Sequence, residues 1–211
     1  MARSSLRRRA ARRSPGRVVA FVSEGTVTEP EYVERVRLMR GVPSGALRYV
    51  RAGKSNPLGL VRAAVRERCE NARAARSGSQ PLVDEWWVLF DTEGAVHPQA
   101  GIGEAIALAR KEGIRVAMSD PCFEYWLLLH YRYTTREYGS AEEVIRDLRE
   151  FMPSYSRDNK RPVGPGLADR LDAALRNAGR VRDRNRRDGT TSPMTDVDLF
   201  VRSALGLPPG D

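Results

Sequence analysis

Histidine and cysteine are nearly missing from this chain: its 211 residues hold two of each. Cys69 and Cys122 cannot form a disulfide framework, and two isolated cysteines cannot build a zinc site alone. His97 and His130 are too far apart in the chain to give a metal-ligand spacing. Lysine is also scarce, with only Lys54, Lys111 and Lys160. No apolar run approaches the roughly 20 residues that span a bilayer. The basic N-terminus leads into the short run VVAFV, without a signal-peptide core and cleavage site. These absences predict a chain of the reducing cytoplasm with no membrane partner. A Walker A phosphate loop is excluded too. Gly53-Lys54-Ser55 has its last residues, but position 48, where the first glycine belongs, is Arg48.

What the chain does have is a core-forming composition and an uneven charge. Hydrophobic residues make up 41% and charged residues 30%, enough to fold around a core. The net charge is +9, and residues 1–17 hold seven arginines and no acid. The rest of the chain has 29 basic against 27 acidic residues. Residues 1–16 therefore read as a disordered basic arm ending at Ser14-Pro15-Gly16. Such an arm neutralises phosphates without needing a fold. A merely solvated tail is the rival reading.

From Arg17 onward apolar runs and helical patterns alternate. Strands are expected at 17–22, 47–50, 85–90 and 114–118. Helices are expected after Pro30, from Asn56-Pro57 to Arg76, over 99–112 and from Asp120-Pro121 through CFEYWLLLHY, with Asp120 as N-cap and Pro121 at N1. The βαβα order predicts an α/β fold with a mostly parallel sheet flanked by helices over 17–135. Residues 136–211 read as a helical extension packed on it, with helices at 140–152, 166–187 and 195–206.

In parallel sheets ligands bind beyond the C-terminal strand ends. Acids follow three of those ends: Glu24 and Glu29 after the first, Asp91 and Glu93 after the third, Asp120 and Glu124 after the fourth. Asp91 and Glu93 are two apart, so continued strand geometry would turn both to one side. Clustered carboxylates repel, and a hard cation such as Mg²⁺ or Mn²⁺ offsets that repulsion while binding a phosphate. Glu24, Asp91 and Glu93 are therefore the candidate catalytic and metal-binding residues, with Glu29, Asp120 and Glu124 auxiliary.

The same residues carry a resemblance. SEGTVTEPEYVE resembles the CEGxxTExxYF signature of RloB-like proteins, and FDTE resembles their FDxD segment. AIALARKEGIRVAMSDPCFEYWLLLHY follows their ALxLAxxxGIxxxxSNPCFExWLLLHF block, and TSPMTDVDLFVRSAL their NPSTxVxxLVxxL segment. Three positions depart from the pattern: Ser23 stands for cysteine, Glu93 for aspartate and Asp120 for asparagine. Ser23 rules out thiol chemistry there. The resemblance implies a Toprim-like fold and a Mg²⁺-dependent nuclease of phage-defence loci, working with a partner ATPase. Its target would be RNA, tRNA included, or DNA. The competing reading is a non-catalytic adaptor that binds nucleic acid or the ATPase.

Basic residues complete the expectations. Lys54 and Lys160 are placed to meet a phosphate. On the late helix, Arg176, Arg180, Arg184 and Arg187 share one face, and Arg180 and Arg184 are taken as phosphate-binding. A solvated face would give the same pattern. His130 is read as a packed helix-end residue and Cys122, Trp86, Tyr125 and Trp126 as core.

Overall fold

The computed structural model describes residues 16–53, 56–94, 100–162 and 166–208. Apart from Gly16, the basic arm lies outside the described residues, as do Lys54 and His97. Four strands run parallel: β1 (Val19–Ser23), β2 (Leu47–Val50), β3 (Glu85–Asp91) and β4 (Arg115–Asp120). A fifth, β5 (Met194–Thr195), pairs antiparallel with β4, and the sheet order is β2-β1-β3-β4-β5. Helices α1 (Thr28–Met39), α2 (Pro57–Arg76) and α3 (Ile102–Lys111) fill the three parallel crossovers. Then come α4 (Phe123–Leu129), α5 (Ala141–Leu148), α6 (Leu171–Asp188) and α7 (Val197–Leu205). The fold is thus α/β, with a mostly parallel sheet and a helical C-terminal part.

Strand alternation divides the core in two. Val19, Phe21, Trp87, Leu89 and Ala117 face a layer built from α1 and α4 to α7. Ala20, Val22, Trp86, Val88 and Phe90 face α2 and α3. Local sequence sets the ends of the long helices. The N-cap Asn56 side chain accepts the Gly59 N–H at 2.8 Å, and Pro57 begins α2 with no amide proton to satisfy. Gly189, at φ 68°, closes α6 in the left-handed conformation that glycine adopts freely.

Several boundaries differ from expectation: α1 begins at Thr28 instead of after Pro30, α5 ends at Leu148 and α6 begins at Leu171, and two further differences involve the sheet. Asp120 is not an N-cap, and Pro121 is not the first helical residue. Asp120 ends β4 opposite Met194, and α4 begins at Phe123 after Cys122. Two neighbouring strands hold Ser119 and Asp120 extended, and that pairing outweighs the local capping preference. The expected helix 195–206 likewise gives its first residue to β5, with Ser119 Oγ and Thr195 Oγ1 3.1 Å apart across the ladder. Residues after 136 therefore complete the sheet and one of its two cores.

Candidate active site

All four parallel strands end on one edge, and acids of four elements converge there. One residue past β1, the Glu24 N–H donates to the Leu89 carbonyl at 3.1 Å, which keeps the chain in register. The Asp91 N–H donates to Glu24 Oε2 across 3.4 Å. Asp91 is the last residue of β3 and continues the face of Trp87 and Leu89 towards α4.

Glu29 comes from the first turn of α1 and is buried. Its Oε1 accepts the Gly25 N–H at 2.8 Å. A Cβ on residue 25 would lie 2.0 Å from Glu29 Oε2, so this approach requires glycine. Glu124, from α4, is buried and accepts the Tyr155 hydroxyl at 2.7 Å. Thr28 Oγ1 is 3.3 Å from that hydroxyl and donates to the Lys160 carbonyl at 2.9 Å. The network ties the segment carrying Tyr155 and Lys160 to the start of α1.

Glu93 reaches the site differently from the sequence expectation. Strand geometry stops at Asp91, and Glu93 sits at φ 62°, in the left-handed region. Its N–H donates to the Pro121 carbonyl at 2.9 Å, which helps hold a conformation costing on the order of 1 kcal/mol or more. Gly94 follows at φ 77°, where an added Cβ would lie 3.0 Å from the Gly139 carbonyl oxygen. Glu24, Glu29, Asp91, Glu93 and Glu124 line one cleft of about 430 Å³, with Cys122, Arg157 and Lys160 among its other walls.

Burial and mutual repulsion change how these groups titrate. Burial, then the charges of Glu124, Glu29 and Glu24, push the Asp91 carboxyl well above the usual carboxylate range. Glu29 is pushed up to about 7 by burial, with Glu124 and Glu24 adding to it against the pull of the Gly25 N–H. Burial, followed by Glu124 and Asp91, also raises the Cys122 thiol, so it is no nucleophile at neutral pH.

Among the described residues, no three histidine, cysteine, aspartate or glutamate side chains form a ready-made metal-holding group. The donors are all carboxylate oxygens, however, and carry repulsion that a hard cation would relieve. They suit an ion such as Mg²⁺, which takes one or two carboxylates and keeps waters or substrate phosphate for its other positions. They do not supply an all-protein cage.

The other expected residues are scattered. Asp120 lines a neighbouring groove and accepts the Thr92 hydroxyl. Lys160 lines the acidic cleft. Arg180 and Arg184 do not line it. Arg180 lies 3.8 Å from the centroid of the Tyr133 ring, and Arg184 bonds Thr190 at 3.0 Å and Asp188 at 2.9 Å. His130 is a packed core residue, with Nε2 3.1 Å from the Tyr32 hydroxyl and Nδ1 3.0 Å from the Trp126 carbonyl. Burial lowers its pKa to about 4, so it is neutral at pH 7. Tyr155 and Arg157 escaped sequence reasoning because no periodicity marks their loop.

The fold and the cleft define an α/β protein with an acid-lined site at the C-terminal ends of parallel strands. The family model for RloB-like protein matches residues 19–203, and the chain belongs to that family. No curated protein and no solved structure matches it.

Proposed function

We propose that this protein is a Toprim-like, Mg²⁺- or Mn²⁺-dependent nuclease acting on RNA or DNA phosphodiesters, tRNA included, in phage defence with a partner ATPase. The convergence of Glu24, Glu29, Asp91, Glu93 and Glu124 on one cleft carries the reading. Such crowding of acids is costly unless a cation and a phosphate are to be handled there. Glu24 and Asp91 are the ligands of choice because the Asp91 amide holds the Glu24 carboxylate beside β3. Glu93, exposed at the rim, is the third ligand. Glu29, Glu124 and, more remotely, Asp120 support them. When bound, the ion would polarise the phosphoryl oxygens and lower the pKa of an attacking water. If Glu24 does not itself hold the ion, it would act as the general base and accept the proton of that water. Lys160 offers positive charge at the same opening, where Arg157 is paired with Glu142.

The test is a cleavage assay on mixed RNA and DNA with Mg²⁺, Mn²⁺ or EDTA, with and without the partner ATPase. Asp91→Asn should abolish cleavage and leave folding intact, since the amide keeps the shape and loses the charge that holds a hard ion. Wild-type cleavage rates in that variant would remove the site. One observation favours a second reading, a non-catalytic adaptor that binds nucleic acid or the ATPase. No three-ligand group stands ready among the described residues. A wild-type protein that cleaves nothing beside its ATPase, and is not stabilised by Mg²⁺, would put the adaptor in its place.

A further inference from the structure

The arginines of α2 and α6 are in different electrostatic states. On α6 they are largely answered by acids of the protein itself. Arg182 pairs with Asp198, Arg184 and Arg187 with Asp188, and Arg186 with Asp183. On α2, Arg62, Arg66, Arg73 and Arg76 are all exposed, and none makes an ion pair or a side-chain hydrogen bond among the described residues. At 100° per residue, positions 62, 66, 73 and 76 fall within about 80° of one another, so they form one stripe. The stripe is about 21 Å long at 1.5 Å per residue. Glu70 is the one fully exposed acid of α2, which leaves the stripe strongly positive.

The stripe also starts in the right place. Helix α2 begins where β2 ends, on the same edge of the sheet as the acidic cleft. A groove of about 380 Å³ lies between them, lined by Glu24, Thr26, Arg51 and Asn56 among others. Glu24 and Thr26 also line the cleft, so the two openings adjoin. Arg51 is exposed and without an ion pair among the described residues, and it continues the positive line towards the acids.

We propose that the Arg62–Arg66–Arg73–Arg76 face of α2 is the binding track for the phosphate backbone of a nucleic acid whose reacting segment lies in the acidic cleft. Four exposed guanidinium groups spread over about 21 Å match a run of backbone phosphates and read no base sequence. The acids at the cleft repel a polyanion, and the track supplies the attraction that brings it there. The inference rests on nucleic acid being the ligand but not on its being cleaved.

The experiment uses the full chain in EDTA and measures the affinity of fluorescent single-stranded RNA and DNA oligonucleotides across a salt series. The variant carries Arg62→Gln, Arg66→Gln, Arg73→Gln and Arg76→Gln, since glutamine keeps helix propensity. A charge-matched control carries glutamine at Arg35, Arg146, Arg149 and Arg170, which are exposed and make no ion pair among the described residues. The slope of log affinity against log salt should flatten by about 3 in the α2 variant, at about 0.7 per lost single-strand phosphate contact, and by much less in the control. An unchanged slope overturns the track, and so does equal flattening in the control, which would report net charge alone. Polyglutamate bound as tightly as an oligonucleotide of equal charge also overturns it, in favour of an acidic protein partner. If the wild type binds no oligonucleotide in EDTA the track fails, whereas the cleavage assay still decides the active site separately.

Discussion

The two faces of the sheet are built from different materials. Among the described residues, the core towards α1 and α4 to α7 holds nine buried aromatic residues, including Trp126, Tyr125, Tyr32 and Phe200. Towards α2 and α3 it holds two, Trp86 and Phe90, among valines, alanines, leucine and isoleucine. The aromatic face is also the one that grips the acids. Asp91 continues it, Glu124 rises from α4 within it, and the Tyr155 hydroxyl binds Glu124 from it. The raised carboxyl pKa values of Asp91 and Glu29 mean that burying those two acids costs stability. Large, interlocked rings can absorb that cost, as where Tyr32 meets Phe123 and Trp126 edge-on with centroids 5.6 and 6.1 Å apart. Among the described residues the aliphatic face buries no comparable acid, and its outer surface carries the α2 arginines that make no ion pair.

The largest test of this contrast is Trp126→Ala. It should lower stability by about 3–5 kcal/mol in denaturant melts, because the ring is fully buried. Leu60→Ala on the other face should cost about 2–5 kcal/mol. It should leave the pH dependence of stability unaltered, because no acid of the cleft packs there. Equal disturbance of that pH dependence by both variants would break the comparison.

Tyr155→Phe is the next in size. It keeps the ring and removes the hydroxyl that donates to Glu124, so it should cost about 1–3 kcal/mol in thermal or denaturant melts. A neutral result would mean that the tyrosine fills space and holds no acid.

The pH dependence follows from Glu29 and Asp91. Both are raised in the folded protein, so the folded state holds protons that the unfolded state has released. Their contribution to stability should therefore be greatest at or below the ordinary carboxylate pKa. It should fall as pH rises through the window to about 7 for Glu29, by at most about 1.4 kcal/mol per pH unit for one group. Glu29→Gln should flatten that fall. Mg²⁺ should flatten it too if the cleft holds the ion. Melting temperatures from pH 4.5 to 8, with Mg²⁺ or EDTA, check both.

The smallest effect belongs to the α2 arginines. Each single Arg→Gln change at 62, 66, 73 or 76 should alter stability by less than about 0.5 kcal/mol, because these exposed side chains make no ion pair among the described residues. A larger loss in the melts would assign them a structural role.

The sequence alone determined which segments become the four parallel strands, the α2 boundaries and the family resemblance. Strands announce themselves by apolar runs, and Asn56-Pro57 is a capping signal that acts within one turn. Acids after β1, β3 and β4 could be named because a parallel sheet brings all its strand ends to one edge. Tertiary structure decided the rest. Glu93 reaches the cleft by a left-handed turn held by the Pro121 carbonyl, a contact 28 residues away in sequence that no local pattern encodes. Asp120 joined a strand instead of capping a helix because β5, a two-residue segment too short to show a pattern, pairs with it. The α6 and α2 arginines look alike on a helical wheel. Only folding places Asp198 beside Arg182 and leaves the α2 stripe without ion pairs among the described residues, since ion pairing depends on which elements end up within a few ångström of each other.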